Sequence, residues 1–253
     1  MTVRMTILAG VLSLAAALLA LPAGPVSAAE ALSGAQQEQI EAVVREYILK
    51  NPEILVESLR GYEEQHKQAT EEEAKKAIAA NRDALEKNPT SPVAGNPQGD
   101  VTIVEFFDYR CGYCKKVLPS LQELLKTDRN VRVVFKEFPI LGPDSVMAAQ
   151  TALAAWKIAP NKYLPFHLAL MQSRGEMNEA RVLEIAKKVG LDPEKLKAAK
   201  ADPEIKATIE RNHELARALQ INGTPAFIVG GRLVPGAVDL ATLREMVGTA
   251  RAG

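Results

Sequence analysis

Cys111 and Cys114 are the only cysteines in the 253-residue chain, and they stand with two residues between them as Cys111-Gly112-Tyr113-Cys114. No third thiol exists to take either into a bridge elsewhere. The pair lies between an apolar, β-branched run, Val101 to Phe107, and a helix-like run, Lys115 to Leu125. A Cys-x-x-Cys at a strand-to-helix junction constrains the surrounding chain to an α/β layout, and its chemistry is thiol and disulfide exchange. The alternatives are a permanent structural disulfide or half of a zinc site. A closed zinc site takes four ligands, and His66, His167 and His213 stand at no ligand spacing from the cysteines or from one another.

If a helix starts at the motif, Cys111 lies at its N-terminus, where unpaired backbone N–H groups and the helix dipole favour negative charge. That lowers the thiol pKa. Because the thiolate is the nucleophile, Cys111 is expected to attack substrate sulfur and Cys114, deeper in the helix, to resolve the mixed disulfide. The redox pair Cys111–Cys114 then needs no cofactor and no metal.

The N-terminus reads as a signal peptide over 1–28: Arg4, an apolar run from Ile7 to Leu21, Pro22, and small residues at Val26-Ser27-Ala28-Ala29. The alternative is an uncleaved anchor, for which a run of roughly fifteen apolar residues is short. The mature chain is therefore expected in an oxidising compartment, the periplasm of a Gram-negative bacterium. About 225 residues remain after cleavage, enough for one core and an accessory element. Basic and acidic residues balance at 31 each, with no basic cluster interleaved with aromatics, so nucleic acid is not an indicated partner.

From Ser33 the chain turns helical, with Ser33 and Gln36 spaced as a capping box. Ile40, Val43, Val44, Tyr47 and Ile48 form one apolar stripe, and Leu55, Leu59 and Tyr62 continue a face beyond Asn51-Pro52, where asparagine is expected to cap a second helix. After Glu63 an exposed helical spacer runs to about Asn88, and 89–99 reads as a linker. Segment 33–88 thus has stripes to bury and no globular core, so it is expected to self-associate as a stalk, the alternative being that it packs back on the rest. From about residue 100 to 253 the pattern is α/β. Val101 to Phe107 and Val131 to Phe138 read as strands flanking the motif helix. A helical stretch over about 142–220 follows, with Asp144, Asn178, Asp192 and Asp202 as expected N-caps and Gly190 as a C-cap. Two strands, Ala226 to Val229 and Arg232 to Val234, turn at Gly230-Gly231, and a final helix starts near Asp239.

Thr224-Pro225 precedes a strand, in a position where a tight turn often takes a cis proline. This order of elements resembles the thioredoxin superfamily, which implies that the Thr224-Pro225 loop faces the cysteines and pairs with extended substrate backbone. Glu105 stands inside an apolar run, six residues before Cys111. It resembles the buried acid of DsbA-type proteins, where a raised pKa helps move protons; the plain alternative is a surface carboxylate. Lys136 in the neighbouring run is a candidate partner for it. Trp156, Tyr163 and Phe166 read as core of the helical part, and His167 and His213 as structural or solvated.

The long helical insertion and Phe107-Asp108-Tyr109-Arg110 before Cys111 are similar to the DsbA family, over roughly Val93 to Gly253. Tyr47-Ile48-Leu49-Lys50-Asn51-Pro52-Glu53-Ile54-Leu55 resembles the N-terminal domain of the suppressor of copper sensitivity protein C group. The resemblance implies a thioredoxin fold with an inserted helical subdomain behind a trimerising segment. It also implies reduction or shuffling of disulfides in secreted proteins, with a membrane thiol-disulfide reductase renewing the pair. Gly112-Tyr113 is the dipeptide of periplasmic disulfide isomerases. Two competing readings stay open: a monomeric DsbA-like oxidase that donates its disulfide, and a module whose two thiolates hold Cu(I).

Overall fold

The computed structural model describes residues 33–252, and the signal peptide expected over 1–28 lies outside them. The chain divides between Arg60 and Gly61 into two units.

In the first unit, α1 (Gly34–Lys50) opens on the expected capping box: the Ser33 N–H donates to Gln36 Oε1 at 2.9 Å, and Ser33 Oγ accepts from the Gln36 N–H. Asn51 does not start the second helix. It closes the first, its Nδ2 donating to the Tyr47 carbonyl at 2.8 Å, because the last carbonyls of a helix need donors and Pro52 brings none. The next helix, α2 (Glu53–Ala80), begins in this unit and continues past its boundary. Ile40, Val43, Val44, Tyr47, Leu55 and Leu59 are all roughly half or more exposed.

The second unit carries α3 (Arg82–Glu86), β1 (Val93–Gly95), β2 (Val101–Phe107), α4 (Gly112–Thr127) and β3 (Val131–Glu137). It continues through α5 (Pro143–Ile158), α6 (Pro160–Gln172), α7 (Glu179–Lys188), α8 (Pro193–Lys200) and α9 (Pro203–Ala218) to β4 (Ala226–Val229), β5 (Arg232–Pro235) and α10 (Leu240–Ala252). The five strands form one mixed sheet in the order β1-β3-β2-β4-β5, with β2 and β3 parallel and the other pairs antiparallel. Helices α5 to α9 are the insertion read over 142–220. Asn178, Asp192 and Asp202 cap their helices as expected, but α5 starts with Gly142 as N-cap and Pro143 in the first helical position, which moves Asp144 into the first turn.

Strand alternation assigns the two faces of the sheet. Ile103, Phe107, Val133, Phe135 and Phe227 face the core shared with α4 and both cysteines. Val104, Phe106, Val134, Ala226 and Ile228 face a second cluster that takes in Ile78, Leu85, Leu215 and Leu219. The segment 89–99 is not a free linker, since β1 pairs there with β3. Gly95 is required at its end: φ is +79°, and a Cβ would stand 2.4 Å from the Val131 carbonyl oxygen. Gly230 and Gly231, with φ of 55° and 76°, make the two-residue hairpin turn between β4 and β5.

Candidate active site

Helix α4 begins at the motif, and Cys111 is its N-cap in extended conformation. Cys111 Sγ accepts from the Cys114 N–H at 3.4 Å, the place that a serine or aspartate oxygen takes in an ordinary cap. The Thr224–Pro225 peptide bond is cis, and it brings the Thr224 carbonyl oxygen to 3.2 Å from Cys111 Sγ, which donates to it as a thiol. Both cysteines are free thiols. Cys111 is 6% exposed and Cys114 fully buried, while Tyr113 between them is 65% exposed. The motif thus shows solvent a tyrosine face and one edge of a sulfur.

The electrostatics of the two thiols diverge. Hydrogen bonding with the Cys114 thiol, and then with the N–H groups of Cys114 and Tyr113, pulls Cys111 down to about 5 against the opposing effect of burial. The same bond, together with burial, pushes Cys114 far above the ordinary thiol range. One sulfur is therefore a thiolate at neutral pH, and the other a thiol.

Glu105 of β2 is 2% exposed and lies on the cysteine face of the sheet. Burial, and secondarily the Cys111 charge, raises it to about 8. Lys136 does not partner it. In the β2–β3 register Glu105 stands opposite Phe135, and Lys136 opposite Phe106, so the lysine points to the other face. There its Nζ donates to the Ala84 carbonyl at 2.7 Å and to Ser91 Oγ at 2.8 Å, and burial lowers it to about 7.

Three features escape a reading of the sequence. Asp108, 1% exposed, accepts four hydrogen bonds: from the N–H groups of Arg110 (2.7 Å), Ile140 (2.8 Å) and Leu141 (3.0 Å), and from Ser145 Oγ (2.8 Å). Lys115 donates to the Ser173 carbonyl at 2.8 Å and ties the motif helix to the insertion. Finally, Glu137 Oε1 accepts from the Tyr109 and Tyr163 hydroxyls, both at 3.1 Å, and the Tyr109 hydroxyl also lies 3.1 Å from His167 Nδ1. Burial pushes the Glu137 carboxyl well above the ordinary carboxylate range and His167 down to about 3, which favours the neutral form of each. The parity that puts Val133 and Phe135 on the cysteine face puts Glu137 there too, and that signal was available in the sequence. His167 is core, as are Tyr163 and Phe166; Trp156 is partly buried beside them.

A dithiol capping a helix, a cis-proline loop at hydrogen-bond distance from the leading sulfur and a mixed sheet with an inserted helical block define a thioredoxin-fold protein with a dithiol site. More narrowly, residues 102–248 match the DSBA-like thioredoxin domain, and the chain belongs to that family. Residues 36–69 match the copper resistance protein ScsC N-terminal domain. Among solved structures, a thioredoxin-like oxidoreductase from Silicibacter pomeroyi is 48% identical, covering 68% of this chain and 99% of that one, with a TM-score of 0.66. Proteus mirabilis ScsC in a transitional conformation is 34% identical over 87% of this chain and 99% of its own, with a TM-score of 0.66. A periplasmic thioredoxin-like protein from Salmonella enterica serovar Typhimurium is 35% identical over 68% and 96%, with a TM-score of 0.64. Among curated proteins, the Na(+)/H(+) antiporter NhaA 1 of Salinispora arenicola is 31% identical over 163 residues. The chain spans 25% of that protein's length.

Proposed function

We propose that this chain is a periplasmic thiol:disulfide oxidoreductase that works as an oligomeric disulfide isomerase or reductase on secreted proteins. The cellular place rests on the signal-like N-terminus and on the likeness to a periplasmic protein of Salmonella. In the exchange, the Cys111 thiolate attacks one sulfur of a substrate disulfide. The substrate S–S bond breaks, a mixed disulfide forms, and the departing substrate sulfur leaves as a thiolate that takes a proton from solvent. Cys114 then loses its proton and attacks Cys111 Sγ, which releases the second substrate thiol and leaves the Cys111–Cys114 pair oxidised. In isomerisation a second substrate thiol attacks the mixed disulfide instead, and the pair stays reduced. In its ionised fraction, which grows toward pH 8, Glu105 takes the Cys114 proton, and Thr224 and Pro225 align substrate backbone beside Cys111. The pair itself is the only redox group in this reading, and a membrane thiol-disulfide reductase renews it.

The observation that favours isomerase over oxidase is the apolar face of α1 and early α2, which the first unit by itself leaves exposed. Each large side chain buried between copies contributes roughly 1.5 to 3 kcal/mol, so several per chain offset the cost of association. Three copies would hold several Cys111 thiolates around one misfolded substrate. The test pairs light scattering with recovery of scrambled, oxidised ribonuclease, for the full mature chain and for one starting at Gly61. That start keeps Ile78 and Leu85, which are buried against the sheet. The full chain is expected to be a trimer that restores ribonuclease, and the shortened chain a monomer that exchanges dithiols without restoring it. A full chain that is monomeric at micromolar concentration would refute this reading in favour of the oxidase.

A further inference from the structure

Among the described residues beyond the helices of the first unit and Tyr62, only four large apolar side chains are exposed: Tyr113, Ile140, Leu141 and Ile158. Two of them, Ile140 and Leu141, are neighbours in the connection from β3 to α5. Their backbone is held from both ends by the turn that leads into Cys111. Asp108 Oδ2 accepts from the N–H groups of Ile140 and Leu141, and Arg110 Nη1 donates to the Leu141 carbonyl. The other carboxylate oxygen holds the Arg110 N–H and Ser145 Oγ, and the Asp108 carbonyl accepts the Cys111 N–H at 3.1 Å. One buried carboxylate and one guanidinium thus join the rim to the nucleophile's own turn. Gly142 gives the arginine room, since φ there is +105° and a Cβ would stand 3.3 Å from Nη1.

We propose that Asp108 and Arg110 are positioning residues that clamp the Ile140–Leu141 rim at a fixed place beside Cys111, and that this clamp sets how well the site accepts a protein substrate relative to a small thiol. The proposal rests on the oxidoreductase reading. The physical reason is preorganisation. An apolar rim on a loose connection must be ordered at each encounter, whereas one held by several hydrogen bonds to a buried side chain is already ordered and offers its apolar area at lower entropic cost. A small disulfide touches only the sulfur and has nothing to gain from the rim.

The test uses the full mature chain and compares kcat and KM for a disulfide-bonded, unfolded protein with the rate constant for oxidised glutathione. Arg110→Met removes the donor to Leu141, and Asp108→Ser keeps an acceptor for the Arg110 N–H while giving up the pair of bonds to Ile140 and Leu141. Each is expected to raise KM for the protein substrate, lowering the protein-to-glutathione ratio by roughly tenfold, the factor that about 1.4 kcal/mol of lost preorganisation gives. In an Ile140→Ser/Leu141→Ser background the same substitutions are expected to add nothing, because the rim through which they act is gone. A ratio equal to the parent's in Arg110→Met overturns the clamp, as does an undiminished effect in the rim-stripped background. If Asp108→Ser fails to fold, Arg110→Met decides alone. A parent protein that does not react with oxidised glutathione refutes the oxidoreductase reading as well, and so differs from a failure of the clamp.

Discussion

Replacing Glu105 by glutamine keeps the shape of the side chain and removes its ability to ionise. In the fold this carboxyl is raised from an ordinary 4.5 to about 8, chiefly by burial. A raised acid binds its proton more tightly when folded than when unfolded. Below about pH 4.5 both states hold the proton, and nothing is lost. Between 4.5 and 8 the unfolded chain releases it while the fold keeps it, so stability falls by about 1.4 kcal/mol per pH unit. Above 8 the whole difference, about 5 kcal/mol, has been lost. Glutamine has no such slope. Glu105→Gln is therefore expected to match the parent near pH 4.5, to exceed it by about 3 kcal/mol at pH 7 and by about 5 kcal/mol at pH 9. Urea unfolding of both reduced proteins across this range measures the gap, and contributions common to both cancel. Parallel stability profiles would refute the claim that this carboxyl is held neutral by burial. The same variant lacks the carboxyl whose ionised fraction takes the Cys114 proton in the proposed cycle, so its mixed disulfides are expected to persist longer toward pH 8 despite the more stable fold.

Cys111→Ser is expected to abolish exchange, and Cys114→Ser to trap mixed disulfides visible on non-reducing gels; trapping through Cys114 in the Cys111→Ser protein would reverse the two roles. Thiolate absorbance near 240 nm should titrate around pH 5. The sign follows from the lowered pKa: the stability that this thiolate gives the reduced protein is complete above the ordinary thiol value of 9.0 and is lost as pH falls from there through about 5, and a thiolate midpoint near 8 would refute stabilisation by the cap. Lys136 titrates in the opposite sense to Glu105. Its pKa falls from 10.5 to about 7 on folding, so the unfolded chain binds more protons between those values and stability rises with pH there. Lys136→Met is expected to flatten that rise, and an unchanged slope between pH 7 and 10 would show the ammonium to be solvated.

What the sequence made legible is what acts over short stretches of chain. The start of α4 at Cys111 follows from a cap position and a helical run, and the Gly230-Gly231 turn from two glycines between apolar runs. Glu105 drew notice as one charge in an apolar strand, and the structure buries it on the cysteine face of the sheet. The misses are of another kind. β1 is three residues long, too short for alternation to register, and it exists because β3 offers it an edge. Asp108 reads as a loop acid, yet three of its four partners lie 32 to 37 residues away. Asn51 between two helices suits either end, and the backbone decided for the first. Lys136 and Glu105 could have been separated beforehand, since once β2 and β3 are parallel and in register, neighbours of opposite parity cannot share a face.

A Cys111 thiolate held near 5 bears on the direction of exchange differently from the helices. Stabilising the thiolate stabilises the reduced pair, which makes the disulfide form a better oxidant in an oxidase and in an isomerase alike. The same low pKa also makes Cys111 a good leaving group, so mixed disulfides at this sulfur are readily undone from either side. Both properties come from the cap of α4 and from the hydrogen bond with the buried Cys114, which belong to the second unit. Direction must then come from what surrounds the pair: how many pairs meet one substrate, and what returns electrons to them. The uncovered apolar residues of α1 and α2 bear on the first, and that is why removing them is expected to leave dithiol chemistry intact while ending the rescue of scrambled ribonuclease.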